Sequence, residues 1–373
     1  MPKKRNATRT SVRGPAIATV AQLPEFDEII DVRSEGEYAE DHIPGAVNCP
    51  ALDNVERARI GTIYKQRSAF EAKKIGAALI SVNISRHLNE RFLDRPREWR
   101  PLLYCWRGGN RSGAFAEVFS QIGWRVGQLG GGYKSYRRAV VADLAARPRA
   151  FRWRVVCGLT GTGKSRLLHA LRAAGGQVLD LEALAAHRGS VLGNLPHVPQ
   201  PRQKMFESLV WNELRGFDPA RAVYVEAESK KIGALRVPEA LVEAMWKSEC
   251  IVLEAPLAAR LALLKHEYAH FFEQVESLIG ALEILVPLHG RATIGAWKEL
   301  ALARRWDKLI TELLARHYDP AYTRAIGKHY AELPRALKLT LGGVDDTAFS
   351  ALAHRCLEAG QTRESPATAD ERR

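Results

Sequence analysis

The chain has 373 residues, 46% of them hydrophobic and 26% charged, with no apolar run near the about 18 residues that cross a bilayer. That composition excludes wholesale disorder and a collagen-like or low-complexity chain, and the length predicts two domains. Lys and Arg number 55 against 42 Asp and Glu, a formal net charge of +13, which favours a polyanionic partner. Five cysteines (Cys49, Cys105, Cys157, Cys250 and Cys356), widely spaced and without a C-x-x-C pair, argue against a disulfide framework or a cysteine zinc site and for a reducing cytoplasm.

The first residues, Met1–Pro15, are basic without an apolar segment and read as a flexible arm rather than a secretory signal. Glu25–Val32 reads as a short strand. Leu102–Trp106 is an apolar run that stops at Arg107-Gly108-Gly109 and gives way to helical periodicity over Ser112–Ile122. Val126–Leu129 is a further short strand, closed by Gly130-Gly131-Gly132. This strand–helix alternation predicts a parallel α/β sheet. Ala145–Phe151, with one proline and two arginines, reads as a linker.

A second α/β pattern follows. Trp153–Cys157 is a strand, then a glycine-rich turn, then a helix from Lys164 to Ala174 ended by Gly175-Gly176. Strand-like runs recur at Gln177–Leu181, Ala222–Glu226 and Cys250–Leu253. Leu257 to about Tyr330 is helical and mixed in charge, and Ala336–Leu341 reads as a last strand. The polar end, Gln361–Arg373, reads as a tail.

The turn after Cys157, Gly158-Leu-Thr160-Gly161-Thr162-Gly163-Lys164-Ser165, satisfies G-x-x-x-x-G-K-S/T between a strand and a helix. Its glycines let successive N–H groups face an anion, and the helix N-terminus adds positive potential. Lys164 supplies a point charge, and Ser165 a hydroxyl for Mg²⁺ or a phosphate oxygen. Glu226 is the favoured acidic partner at a strand end, with Glu228, Asp180 and Glu254 in competition. Whether the site takes a metal is open from sequence alone.

Cys105 opens a second loop, Cys105-Trp106-Arg107-Gly108-Gly109-Asn110-Arg111-Ser112, at the C-terminal edge of an apolar strand. Loop N–H groups, a helix N-terminus and two guanidinium groups all favour thiolate over thiol, so this sulfur is the candidate nucleophile. Cys157 and Cys250 fall within apolar strands and read as core; Cys49 and Cys356 lack a basic loop.

Four segments in order resemble a rhodanese domain: Asp31-Val-Arg33-Ser-Glu-Gly-Glu37-Tyr, His42-Ile-Pro-Gly45-Ala, the Cys105 loop, and Leu129-Gly-Gly-Gly-Tyr133-Lys-Ser-Tyr136-Arg. A rhodanese-like domain followed by a phosphate-loop domain resembles the tRNA 2-selenouridine synthase family. Leu52–Gln66 (LDNVERARIGTIYKQ), Asp180–Gly193 (DLEALAAHRGSVLG), Val225–Gly233 (VEAESKKIG) and His317–Tyr322 (HYDPAY) extend the resemblance, which runs from about residue 20 to residue 345.

The resemblance implies a rhodanese-like parallel-sheet domain followed by a P-loop NTPase-like α/β domain with a helical segment. The expected division is an arm at 1–20, a rhodanese-like domain at 21–145 and a linker at 146–152. The phosphate-loop domain then covers 153–256 and 331–350 around a helical segment at 257–330, and 351–373 form a tail. The implied activity replaces sulfur by selenium in the wobble 5-substituted 2-thiouridine of tRNA. Selenophosphate is the selenium source, and the route passes through S-geranylation with geranyl diphosphate and loss of geranylthiol. Cys105 is implied as the selenium-carrying residue, with Trp106–Ser112 as its anion-binding loop. Implied partners are the tRNA anticodon loop and the enzyme that supplies selenophosphate; with no coiled-coil pattern and no spanning apolar run, the sequence predicts a monomer without membrane contact. Candidate tRNA contacts are Lys230, Lys231, Arg304, Arg305 and Lys308, with Arg137 and Arg138; Trp106 is a candidate to stack on the uracil ring. Two rival readings are a rhodanese-type sulfurtransferase fused to an ATP-dependent kinase domain, and a nucleic-acid-binding scaffold with degenerate loops. The intact Cys105 loop and the Lys164-Ser165 pair speak against the scaffold.

Overall fold

The computed structural model describes residues 14–361. The basic arm therefore lies almost wholly outside the described residues, as does the chain beyond Gln361. The chain divides into two compact units, residues 1–142 and 143–373.

The first unit is built on five parallel strands: β1 (Ala16–Ala18), β2 (Glu28–Asp31), β3 (Val47–Asn48), β4 (Pro101–Tyr104) and β5 (Gly127–Leu129), in the order β1-β5-β4-β2-β3. All four residues of the central strand β4 are buried, as expected for a strand covered on both faces. Ile30, Leu103, Phe92, Phe115 and Phe119 form the core on one side of this sheet. β1 falls in the segment expected to be an arm, where it pairs with β5 from Ala16↔Gly127 to Ala18↔Leu129.

The second unit has its own parallel sheet: β6 (Trp153–Cys157), β7 (Gln177–Leu179), β8 (Val223–Glu226), β11 (Glu249–Glu254) and β12 (Leu337–Thr340), in the order β12-β11-β6-β8-β7. A small antiparallel hairpin, β9 (Lys231–Ile232) and β10 (Leu235–Arg236), lies between β8 and β11 in the chain. The central β6 is buried throughout, although it carries Arg154. That guanidinium is matched by Glu249 at 3.1 Å and by the carbonyls of Cys356 and Ala359 at 2.9 and 3.1 Å, so its burial leaves no orphaned charge. Between β11 and β12, the helices from Leu257 to His329 enclose a separate core around Leu282, Leu285, Trp297 and Leu309.

Two expected boundaries are corrected. Residues 146–152 are not an extended linker: the helix Gly132–Ala146 runs into a 3₁₀ turn at Arg147–Ala150. Pro148 is buried there, and its carbonyl accepts from Trp153 Nε1 at 2.8 Å. Residues 351–361 are not tail but belong to the helix Asp346–Gln361. Phe349, Leu352, Ala353 and Cys356 recur at helical spacing and are all buried against the phosphate-loop core.

Candidate functional site

Cys105 follows directly on β4, and the helix Asn110–Ile122 begins five residues later. The loop between them is pressed against the glycines that follow β5. A Cβ on Gly132, whose φ is +58°, would stand 2.3 Å from the Cys105 carbonyl oxygen and 2.4 Å from the Gly108 nitrogen. The Tyr133 N–H donates to the Cys105 carbonyl at 2.8 Å and the Lys134 N–H to that of Trp106 at 3.1 Å, locking the loop in place.

The Cys105 sulfur is buried and accepts from the Ser112 hydroxyl at 3.2 Å. Ser112 in turn accepts from Gln128 Nε2 at 2.9 Å, and its hydroxyl also lies 3.3 Å from the Gly109 carbonyl. Burial alone pushes a thiol up, and it does so at Cys49, raised to about 12, and Cys356, raised to about 11. Burial also acts against the Cys105 thiolate. The Ser112 hydroxyl and N–H, the Arg111 charge and the Arg107 N–H together overcome it, so this thiol lies below its ordinary value.

The loop's two arginines differ. Arg111 is held by Glu37 at 2.9 Å, a carboxylate shared with Arg57 at 3.0 Å, while Arg107 is exposed. Trp106 is 40% exposed and stacks on Tyr133, with ring centroids 5.2 Å apart. Tyr133 is anchored from beneath: its hydroxyl donates to Asp41 at 2.7 Å and the Arg33 guanidinium lies 4.1 Å from its ring centre. Arg33 is itself buried and paired with Asp31 at 2.6 Å. The buried Asp31–Arg33 pair thus supports the loop through Tyr133.

In the second unit the phosphate loop follows β6 and enters the helix Lys164–Ala173. Gly161 and Gly163 have φ of +81° and +85°; added Cβ atoms would meet Leu264 at 2.7 Å and Phe349 at 2.6 Å. The buried Gly158 N–H donates to the Tyr322 hydroxyl at 2.8 Å, and Arg260 donates to the Thr160 carbonyl at 2.8 Å. Lys164 Nζ sits 3.4 Å from Glu226, 3.3 Å from the Leu159 carbonyl and 5.2 Å from the centre of the Tyr322 ring.

Ser165 Oγ donates toward Glu226 and Glu182, each at 3.1 Å. Glu182, Glu226 and Glu228 bring one oxygen each within 4.8 Å of one another. Burial and the neighbouring Glu226 charge raise the Glu228 carboxyl to about 8 and push Glu182 well above the usual carboxylate range. Of the competing carboxylates, Asp180 caps its helix through the Ala183 N–H and bonds His169, and Glu254 is exposed at the end of β11. Glu182 and Tyr322 escape sequence reasoning: neither stands at a motif spacing from the glycine loop.

The basic candidates lie on several separate elements. Lys231 is exposed on β9, and Lys230 lies over the Trp246 ring at 5.2 Å. Arg304, Arg305 and Lys308 are exposed around the start of the helix Trp306–Leu313. Arg137 is half-buried and faces Asp41 at 3.9 Å, while Arg138 is exposed. None of the helices among the described residues is long and apolar enough to cross a membrane.

Residues 17–139 match the rhodanese-like domain, and residues 151–281 match the AAA domain of tRNA 2-selenouridine synthase. The chain is similar to tRNA 2-selenouridine synthases from several bacteria. It is 36% identical to that of Nitrosomonas europaea over 64% of this chain and 63% of the relative. With that of Hydrogenovibrio crunogenus it shares 35% over 67% and 72%, and with that of Aeromonas salmonicida 32% over 68% of each. The matched region thus spans less than two thirds of the Nitrosomonas europaea protein. A solved N-terminal domain from Clostridium difficile 630 is 38% identical over 34% of this chain and 98% of its own, with a TM-score of 0.30.

Proposed function

Because the chain belongs to the tRNA 2-selenouridine synthase family, we propose that it replaces sulfur by selenium at C2 of a 5-substituted 2-thiouridine in the tRNA anticodon loop. The observation that carries this reading is one chain holding both a thiol lowered within a cradle of donors and a phosphate loop backed by carboxylates. Neither a sulfurtransferase nor a phosphate-binding domain alone needs both.

The chemistry gives each site a task. A thiocarbonyl sulfur leaves badly, so direct exchange at C2 is slow. When that sulfur attacks the allylic carbon of geranyl diphosphate, the C–O bond breaks and its electron pair leaves with diphosphate. The loop N–H groups between Gly158 and Ser165 that have no partner among the described residues, together with the Lys164 ammonium, would meet the charge that builds on those oxygens. C2 then bears a thioether, whose sulfur departs as geranylthiolate when a selenium nucleophile adds. The loop of Cys105 to Ser112 is where selenophosphate would be held, with exposed Arg107 as an anion contact and Cys105 as the catalytic residue beside it; its selenium adds at C2, geranylthiolate leaves, and water takes the phosphoryl group away as phosphate.

Mg²⁺ fits the second site. Three carboxylates gather beside the Ser165 hydroxyl, and burial together with the Glu226 charge pushes the carboxyls of Glu182 and Glu228 upward, a crowding that a divalent cation would relieve. Ser165, Glu226 and Glu182 would hold the ion, and it would neutralise the departing diphosphate. The exposed Lys231, Arg304, Arg305, Lys308 and Arg138, with Lys230, are the proposed phosphate contacts for tRNA, and Trp106 offers a stacking face for an unstacked anticodon-loop base.

The test incubates 2-thiolated tRNA with geranyl diphosphate and selenophosphate, omits each in turn, and reads the wobble nucleoside by mass. Geranyl diphosphate alone should yield the S-geranyl nucleoside, and both together the 2-seleno product. Cys105→Ser should lose selenium incorporation and keep geranylation, whereas Lys164→Ala should lose geranylation first. Loss of both products in folded Cys105→Ser with unchanged tRNA affinity would contradict this division of labour.

A further inference from the structure

An apolar chamber of about 60 Å³ abuts the phosphate loop within the second unit. Thr160 of the loop forms part of its wall, and Leu192, Leu264, Phe271, Leu278 and Ile310 are among the residues that complete an almost wholly apolar lining. Native interiors leave few voids larger than a water molecule. This one is several times the roughly 10–15 Å³ that a single water needs. An apolar cavity offers water too few partners to fill it stably.

Cradle and chamber share their construction. The helix Leu257–Glu267 brings Arg260 to the Thr160 carbonyl at 2.8 Å and, one turn later, Leu264 to the chamber wall. Arg260 is fixed by Asp319 through contacts of 2.6 and 3.0 Å. Gly161 lets the loop lie directly on Leu264, since a side chain at that φ of +81° would collide with it. Thr160 and Gly161 thus set this part of the phosphate loop directly against hydrocarbon. The two phenols in the lining offer little to a polar ligand: the Tyr268 hydroxyl pairs with Ser190 Oγ at 3.3 Å, and Tyr318 has Ser190 and the Leu192 backbone as partners. A nucleoside would find few groups there to bond its base and sugar.

We infer that this chamber receives the hydrocarbon tail of an allylic diphosphate whose diphosphate is held by Gly158–Ser165, an inference that rests on the geranyl transfer proposed above. The chamber then sets both affinity and tail length, because each buried methylene adds about 0.8 kcal/mol to the gain over water.

Calorimetry of the full chain with inorganic diphosphate, dimethylallyl, geranyl and farnesyl diphosphates tests this. Wild type should bind geranyl diphosphate on the order of 100-fold more tightly than inorganic diphosphate. Ile310→Trp fills the chamber from a half-buried position. It should erase most of that preference while leaving inorganic and dimethylallyl diphosphate unchanged. Leu278→Ala enlarges the chamber and should move the preference toward farnesyl diphosphate by about tenfold. Equal affinity of wild type for geranyl and inorganic diphosphate would sink the geranyl-transfer reading itself. A wild-type preference that survives both variants would overturn only the chamber's assignment. Should Ile310→Trp fail to fold, the Leu278→Ala ratio decides: an unchanged geranyl-to-farnesyl ratio places the tail elsewhere.

Discussion

The Ser112 hydroxyl donates to the Cys105 sulfur across 3.2 Å, from the first turn of the helix that follows the cysteine's own loop. Ser112 is itself held by Gln128, and the charge of Arg111, which is paired with Glu37, acts on the same sulfur. Ser112→Ala removes a bond to the charged form and leaves burial, which acts the other way, unopposed at that position. The thiol should shift upward and its alkylation by iodoacetamide at pH 7 should slow about tenfold, the equivalent of one hydrogen bond to a charged group. The measurement is the alkylation rate against pH, with Cys105→Ser giving the background of the four other thiols.

Gly132 and Gly109 predict opposite outcomes for the same substitution. A methyl at Gly132 would overlap the Cys105 carbonyl and the Gly108 nitrogen and sits at positive φ, so neither rotation nor side-chain movement relieves it. At Gly109, with φ of −102°, nothing lies within 4 Å of the added carbon. Gly132→Ala should lower the melting temperature of the first unit by several degrees and disturb Cys105 alkylation. Gly109→Ala should melt within about a degree of wild type, because it meets open space. Scanning calorimetry of the two variants separates them.

How far the fold can be read from sequence depends on how much of it is local. The segment Trp153–Ser165 is legible to the residue, because strand, glycine turn and helix start each leave a signature within a few positions. β1 and β3, of three and two residues, are too short to show alternation, and the β9–β10 hairpin is equally brief. The helix Asp346–Gln361 does carry its apolar spacing in the sequence, but lies beside a polar end that masks it. Of the site, Cys105, Lys164 and Ser165 stand in recognisable loops. Glu182 joins Ser165 only through the pairing of β7 beside β8, and Tyr322 reaches Gly158 across 164 residues of chain. No spacing rule encodes such tertiary meetings.

The carboxylate cluster predicts a pH dependence of stability. Glu228 ionises near 4.5 in the unfolded chain and is raised to about 8 in the fold by burial and then by Glu226. Between those values the folded chain binds more protons than the unfolded one, so stability falls as pH rises through that window and levels off above it. Glu228→Gln should flatten this slope, leaving the part that Glu182 contributes. It should be near wild type at pH 4.5 and more stable by on the order of 2 kcal/mol at pH 8.5. Mg²⁺ should stabilise wild type at pH 8.5 more than the variant, and chelation should reverse that gain. Urea unfolding at the two pH values, with and without Mg²⁺, reads each of these.

Tyr322 closes the other side of the phosphate loop. Its hydroxyl oxygen accepts the buried Gly158 N–H at 2.8 Å, and its ring centre lies 5.2 Å from the Lys164 ammonium. Tyr322→Phe keeps the ring, and so the cation–ring contact, but leaves a buried backbone donor without its acceptor. That cost is about 1–3 kcal/mol of stability. Diphosphate affinity should fall with it, since the first N–H of the cradle loses its anchor, while Cys105 alkylation should stay at the wild-type rate. Tyr322→Leu removes the ring as well and should weaken diphosphate binding further. Equal diphosphate affinity in the Phe and Leu variants would show that the ring does nothing for Lys164, leaving the hydroxyl as the whole of the tyrosine's contribution.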